Sequence, residues 1–152
     1  HIWCEEGKAQ PELFELFSYC LHLLDAGEIS DAFASIIFQM RFLFLSGLAP
    51  HLASCAGCRK KLDVLAAERL IFELAKGGLV CQGCSSFHSA GHAVTRGLVK
   101  QLLWIQENEL EKLKRLKFNM STIDEGLKVL EAFVPYHLGK TPKSLRFLKS
   151  IR

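Results

Sequence analysis

Apolar residues in the first third of the chain recur at helical spacing. In PELFELFSYCLHLLDAG, residues 11–27, Leu13, Phe14, Phe17, Cys20, Leu21 and Leu24 fall on one wide stripe, which predicts an amphipathic helix. Pro11 suits its first turn, Glu12 and Glu15 lie near the positive end of the helix dipole, and Gly27 is a natural stop. A second helix is predicted to begin after Ser30 and run to about Leu45, ended by Gly47 and Pro50. Its apolar residues cover nearly the whole circumference, as expected of the central helix of a bundle. This is also the most apolar stretch, residues 32–49, but Arg41 sits near its middle. A central charge costs a spanning helix about 2.5–3.5 kcal/mol, so the segment reads as buried core and not as a membrane span.

The rhythm then changes. Residues 51–63 are irregular, after which Leu70, Phe72 and Leu74 alternate with Ile71 and Glu73, and Lys76-Gly77-Gly78 supplies a turn. That pattern predicts a β-hairpin leading into GGLVCQGC. SSFHSAGH has loop composition. Helical spacing resumes from about Thr95, with Leu98, Leu102, Leu103 and Ile105 facing a core, and the charged run ENELEKLKRLK fits a solvated helix or connection. Thr122 and Glu125 form a T-x-x-E capping box for a helix from Ile123 toward Leu138, with Leu127, Leu130, Val134 and Leu138 on one face and a kink at Pro135. Gly139 would close it, and Thr141 would cap a short final helix with Pro142 at its first position. The predicted fold is mainly α: one domain over 1–152, a helical bundle with a small Cys4 zinc ribbon and β-hairpin inserted at about 51–88.

Six cysteines in 152 residues might suggest a disulfide scaffold, but 49% of the residues are hydrophobic, enough for a core without staples. The opening HIWCEEG also lacks the basic stretch and apolar run of an export signal. A reducing cytoplasm is therefore expected, and there CxxC pairs point to metal. Cys55 and Cys58 form one pair, Cys81 and Cys84 the other, with 22 residues between them. Much of that gap is the predicted hairpin, which would bring the pairs together so that four thiolates hold one structural zinc ion tetrahedrally. Gly57 and Gly83 would let each loop turn tightly, and Arg59, Lys60 and Lys61 would offset part of the site's formal charge of −2. A redox dithiol, a disulfide pair and an iron–sulfur site are the competing readings. His88 and His92 could replace a cysteine as ligands but read more simply as loop histidines, and Cys20 lies on an apolar stripe and reads as core.

The net charge of +3 hides an asymmetry. Residues 1–54 carry two basic and seven acidic side chains, residues 55–111 seven and six, and residues 112–152 ten and three. On a helix starting near Pro142, Lys143, Arg146 and Lys149 lie opposite Phe147, Leu148 and Ile151. Such an end suits phosphates or an acidic peptide, and its simpler reading is a solvated face.

The order FQMRFLFLSGLAPHLASCAGC, then GGLVCQGC, then YHLGKTPKSLRFL resembles the C-terminal region of the bacterial RecO family of recombination mediators. The resemblance covers roughly residues 10–152, and the C-terminal string is its most specific part. It implies a helical domain bearing a structural zinc module, here without the OB-fold that precedes it in the family. It further implies DNA repair and homologous recombination: binding of single- and double-stranded DNA, action with RecR, and contact with the acidic C-terminal tail of single-stranded-DNA-binding protein, helping RecA load. Candidate residues for nucleic acid or that acidic partner are Lys140, Lys143, Arg146, Lys149 and Arg152. The protein is expected in the cytoplasm, associated with the nucleoid and not with a membrane.

No Ser/His/Asp set, phosphate-binding glycine loop or open metal site stands out, so no enzymatic activity is expected. The alternative from another class is a zinc-ribbon module of transcription or RNA processing, which would share the basic surface.

Overall fold

The computed structural model describes residues 9–65, 70–85, 91–113, 115–117 and 119–138, with only the backbone described at residues 9 and 10. They fall into two compact units, one drawn from His1–Ala49 with Ile105–Arg152, the other from Pro50–Trp104.

In the first unit, α1 (Ala9–Asp25) and α2 (Asp31–Leu45) form where the sequence predicts helices, but the buried face of α1 is Leu16, Cys20 and Leu23, and Phe14 of the predicted stripe is exposed. Pro11 lies in the first turn of α1, where its missing N–H costs no hydrogen bond. Gly27, at φ +70°, lets the chain leave α1 with Gly27 N–H donating to the Leu24 carbonyl and Glu28 N–H to that of Leu23. Ser30 caps α2, its hydroxyl accepting from Phe33 N–H at 3.1 Å. Ten of the fifteen residues of α2 are buried, including the unbroken run Phe33–Met40, because the helix packs against both α1 and the C-terminal helix α5 (Met120–Leu138). Phe38 is the centre of this core: it stacks on Phe42 at 5.9 Å and meets the edge of Phe17 at 5.8 Å. Cys20 is fully buried there, and its thiol is pushed up to about 12 by that burial.

Arg41, the charge inside the most apolar helix, donates to the carbonyls of Ile105 at 3.2 Å and Asn108 at 2.8 Å. These carbonyls lie at the end of α3 (Arg96–Glu107), where helical partners run out. The cation therefore serves as a cap, which explains how the core tolerates it. Among the described residues, no helix is long and apolar enough to cross a membrane.

The C-terminal helix corrects one expectation. It begins at Met120, three residues before the predicted start, and the cap is Asn119, whose side chain accepts from Thr122 N–H at 2.8 Å. The Thr122/Glu125 box is therefore inside the helix and not at its entrance. Ile123, Gly126, Leu127, Val129, Leu130, Phe133 and Val134 are buried, and the helix continues past Pro135 to Leu138, which is half-buried. Among the described residues of the charged run a short α4 (Leu110–Leu113) forms, in which Leu113 is buried.

The second unit is built on a three-stranded antiparallel sheet in the order β2-β1-β3. β1 (Leu70–Glu73) and β2 (Gly78–Cys81) are the predicted hairpin, with Leu70 opposite Cys81 and Glu73 opposite Gly78. The third strand, β3 (Gly91–Val94), replaces the end of the predicted loop. Its residues carry little strand signal of their own, and pairing to the free edge of β1 supplies the order. Thr95 caps α3 by accepting from Leu98 N–H at 3.2 Å. Leu98, Val99, Leu102 and Ile105 are buried, whereas Leu103, expected in the core, is only half-buried.

Candidate metal centre

The first cysteine pair sits on a loop sewn to the edge of β2. His51 N–H donates to the Gly77 carbonyl at 2.9 Å, Leu79 N–H to the His51 carbonyl at 2.8 Å, and Ala56 N–H to the Leu79 carbonyl at 2.8 Å. This close approach requires glycine at 78: a Cβ there would lie 2.2 Å from the His51 carbonyl oxygen and 2.6 Å from its nitrogen. The loop is closed on itself by Arg59 N–H to the Cys55 carbonyl at 3.0 Å and Cys55 N–H to the Lys60 carbonyl at 2.9 Å. The second pair follows β2 directly, Cys81 ending the strand and Cys84 ending a 3₁₀ turn over Gln82–Cys84.

These two attachments bring the four sulfurs of Cys55, Cys58, Cys81 and Cys84 within 4.8 Å of one another. Sulfurs held about 2.3 Å from a tetrahedral zinc are roughly 3.8 Å apart, and Cys58 Sγ lies 3.8 Å from Cys81 Sγ. Disulfide sulfurs would be about 2 Å apart. The donor set and its spacing thus fit one zinc ion. The Cys55 sulfur also accepts backbone N–H bonds from Gly57 and Cys81, both at 3.3 Å. Burial opposes ionisation of Cys55, but the backbone donors of Cys58, Cys81 and Gly57, with the Cys58 thiol, outweigh it and lower the group to about 6. Cys84 is pushed the other way, to about 12, by side-chain hydrogen bonds with Cys81, Cys55 and Cys58 and then by burial. A metal ion takes its sulfur ligands as thiolates, so a cation bound here would displace the thiol protons.

Of the predicted glycines, Gly57 is needed for space, since a Cβ would come 2.9 Å from both Cβ and Sγ of Cys84. Gly83 is not: open space surrounds it. The left-handed residue of the first loop is Arg59, at φ +69°. Lys76 Nζ donates to the Cys84 carbonyl at 2.9 Å, a contact the turn reading missed although its Lys-Gly-Gly string placed that lysine beside the second pair. Glu73, fully buried, accepts from the Ser85 hydroxyl at 2.9 Å and so fastens the residue after Cys84 to β1. His92 lies on β3 and is not part of the cysteine cluster; His88 lies outside the described residues.

Residues 3–146 match the family model described as recombination protein O, C terminal. The chain belongs to the RecO C-terminal family. It is 41% identical to the DNA repair protein RecO of Desulfosudis oleivorans, over 99% of this chain and 59% of that protein. The counterpart in Desulfatibacillum aliphaticivorans is 41% identical over 100% and 59%, and that in Syntrophus aciditrophicus 36% over 97% and 56%. The chain thus spans a little under three fifths of the RecO proteins it matches. No solved structure matches it.

The basic RecO-like ending, with Lys140, Lys143, Arg146, Lys149 and Arg152, lies outside the described residues, as do the predicted cap at Thr141 and helix from Pro142. In the first unit, a cleft of about 380 Å³ is lined by Glu15, Tyr19, Arg41, Glu109, Leu110 and Glu111. Three carboxylates on its walls repel an acidic tail, so this cleft is not the cation-rimmed apolar groove such a partner needs.

Proposed function

We propose that this chain is the helical part of a recombination mediator, a binding module that carries out no reaction of its own. Its similarity over residues 3–146 to the RecO C-terminal family, whose relatives are named DNA repair proteins, carries this reading. One zinc ion held by Cys55, Cys58, Cys81 and Cys84 cross-links the two loops of the second unit. Four thiolates fill its shell and leave no position for a reacting water, so the metal stabilises and does not catalyse. The module acts as a single domain in the cytoplasm, at the nucleoid. It binds single- and double-stranded DNA, the acidic tail of single-stranded-DNA-binding protein and RecR, and so assists RecA indirectly.

Ten basic against three acidic side chains in residues 112–152 support an anionic partner for that end. Lys140, Lys143, Arg146, Lys149 and Arg152 are the residues proposed to meet it. The test is titration of the zinc-loaded chain with a labelled peptide copying the acidic tail, at low and physiological salt. Saturable binding is expected, weakened and made less salt-sensitive in a Lys143→Glu, Arg146→Glu double variant. Absence of binding, or an affinity unchanged by the double reversal at every salt, refutes the tail-binding role.

A further inference from the structure

Arg59, Lys60 and Lys61 are consecutive, all exposed, and directly follow the second cysteine of the first loop. We infer that this triplet is a contact surface for the phosphodiester backbone of DNA, distinct from the basic end of the chain; the inference rests on the DNA-binding reading above.

The charges stand on fixed backbone. Arg59 N–H and the Lys60 carbonyl are both bonded to Cys55, Lys61 pairs with Ser54 in an antiparallel bridge, and the Lys61 carbonyl accepts from Val64 and Leu65 N–H. A cation held in this way loses little backbone freedom when it meets a phosphate. Arg59 also occupies the left-handed region at φ +69°, which glycine adopts without steric penalty. A strained arginine in a glycine's place, where open geometry would accept glycine, points to use of the side chain.

Offsetting the metal site accounts for only part of the triplet. Four thiolates around zinc leave a formal −2, and three cations exceed it. Residues 50–104 carry seven basic and three acidic side chains. Of those acids Glu73 is fully buried, and Asp63 is paired with Arg96 at 3.3 Å. Among the described residues none of Arg59, Lys60 and Lys61 is ion-paired. The exposed charge of the described part of this unit is therefore almost wholly positive. DNA suits it better than an acidic peptide because a phosphate chain presents evenly repeated charge to adjacent cations and needs no apolar groove beside them.

The experiment measures binding of the zinc-loaded chain to labelled single-stranded and duplex oligonucleotides by fluorescence anisotropy at about 50, 100 and 200 mM salt, the range over which counterion release is steep. In the triple variant Arg59→Gln, Lys60→Gln, Lys61→Gln, zinc content is checked first. Removing three cations from the phosphate backbone should lower the slope of log affinity against log salt by about 2 for single strands and by about 3 for duplex, and weaken binding at least about tenfold at the middle salt. Arg59→Gly provides a second variant that relieves the backbone: it should bind more weakly while melting no lower than the parent. A zinc-loaded triple variant with the parent's affinity and salt slope overturns the inference and leaves the wider reading intact. A parent chain that binds neither oligonucleotide overturns both.

Discussion

The attachment of the first cysteine loop to β2 makes Gly78→Ala the most informative single substitution. The added methyl carbon would sit 2.2 Å from the His51 carbonyl oxygen and 2.6 Å from its nitrogen. Both atoms are backbone, so no side chain can swing aside, and restoring van der Waals distance needs a shift of roughly 1 Å between loop and strand. That shift stretches His51 N–H to Gly77 and Leu79 N–H to His51, now 2.9 and 2.8 Å, beyond hydrogen-bonding range. Each lost bond costs about 1 kcal/mol, and more where the orphaned group stays buried, as Leu79 is. Overpacking adds a further 1–3 kcal/mol or so. The sum, about 3–5 kcal/mol, is a large fraction of the roughly 5–15 kcal/mol that typically holds a domain together. The assay is urea denaturation of the zinc-loaded protein with bound zinc quantified alongside, and Gly83→Ala is the control because a Cβ there meets open space. Gly78→Ala should lose about 3–5 kcal/mol and weaken zinc retention, while Gly83→Ala stays within about 0.5 kcal/mol of the parent. Equal midpoints and equal zinc content for the two variants would refute the argument that this backbone contact positions the first loop.

Three further outcomes follow from the same structure. Cys81→Ser should release the metal and destabilise the hairpin, because a shell with one thiolate missing loses much of its binding free energy; one zinc per chain with unchanged melting would contradict it. Asn119→Ala should cost about 1 kcal/mol through loss of the α5 cap, whereas Thr122→Ala should cost less than about 0.5 kcal/mol, and the reverse order in urea denaturation would restore the capping box at Thr122. Burial raises Cys20 from 9.0 to about 12, so the unfolded chain releases this proton first as the solution is made alkaline. Its contribution is complete below about pH 9 and is lost as pH rises toward 12, by up to about 1.4 kcal/mol per unit. Cys20→Ala should flatten the alkaline decline of stability in that window, and an identical slope would show that the thiol does not report on the core.

The helices of the first unit were legible because their signals are local. Ser30 and Gly27 mark boundaries through bonds to residues a few positions away, and α2 is apolar all round because α1 and α5 cover it. The start of the last helix was misplaced, because the Thr122/Glu125 pattern drew attention from Asn119 one turn upstream, whose side chain accepts from Thr122 N–H. β3 was not legible at all. Gly91 and His92 carry no strand preference, and what orders them is the unpaired edge of β1, a partner whose strand ends well before β3 begins in the chain.

The metal centre divides along the same line. The spacing of two CxxC pairs is a local pattern and named the four sulfurs that converge. What makes them converge is the fit of His51 against Gly78, which is not visible from composition, since Gly77-Gly78 explains itself as a turn. The two glycines have different tasks: Gly77 takes the left-handed turn at φ +76°, and Gly78 leaves room for another backbone. Conversely, Gly83 in the second CxxC is unconstrained, while the first loop places Arg59 in its left-handed position. Glycines in a ligand loop therefore mark tight packing only in part: Gly57 leaves room for Cys84, whereas Gly83 meets open space. In this unit the tightest contact lies on the strand beside the ligands, and the first loop spends its strained position on a positive charge.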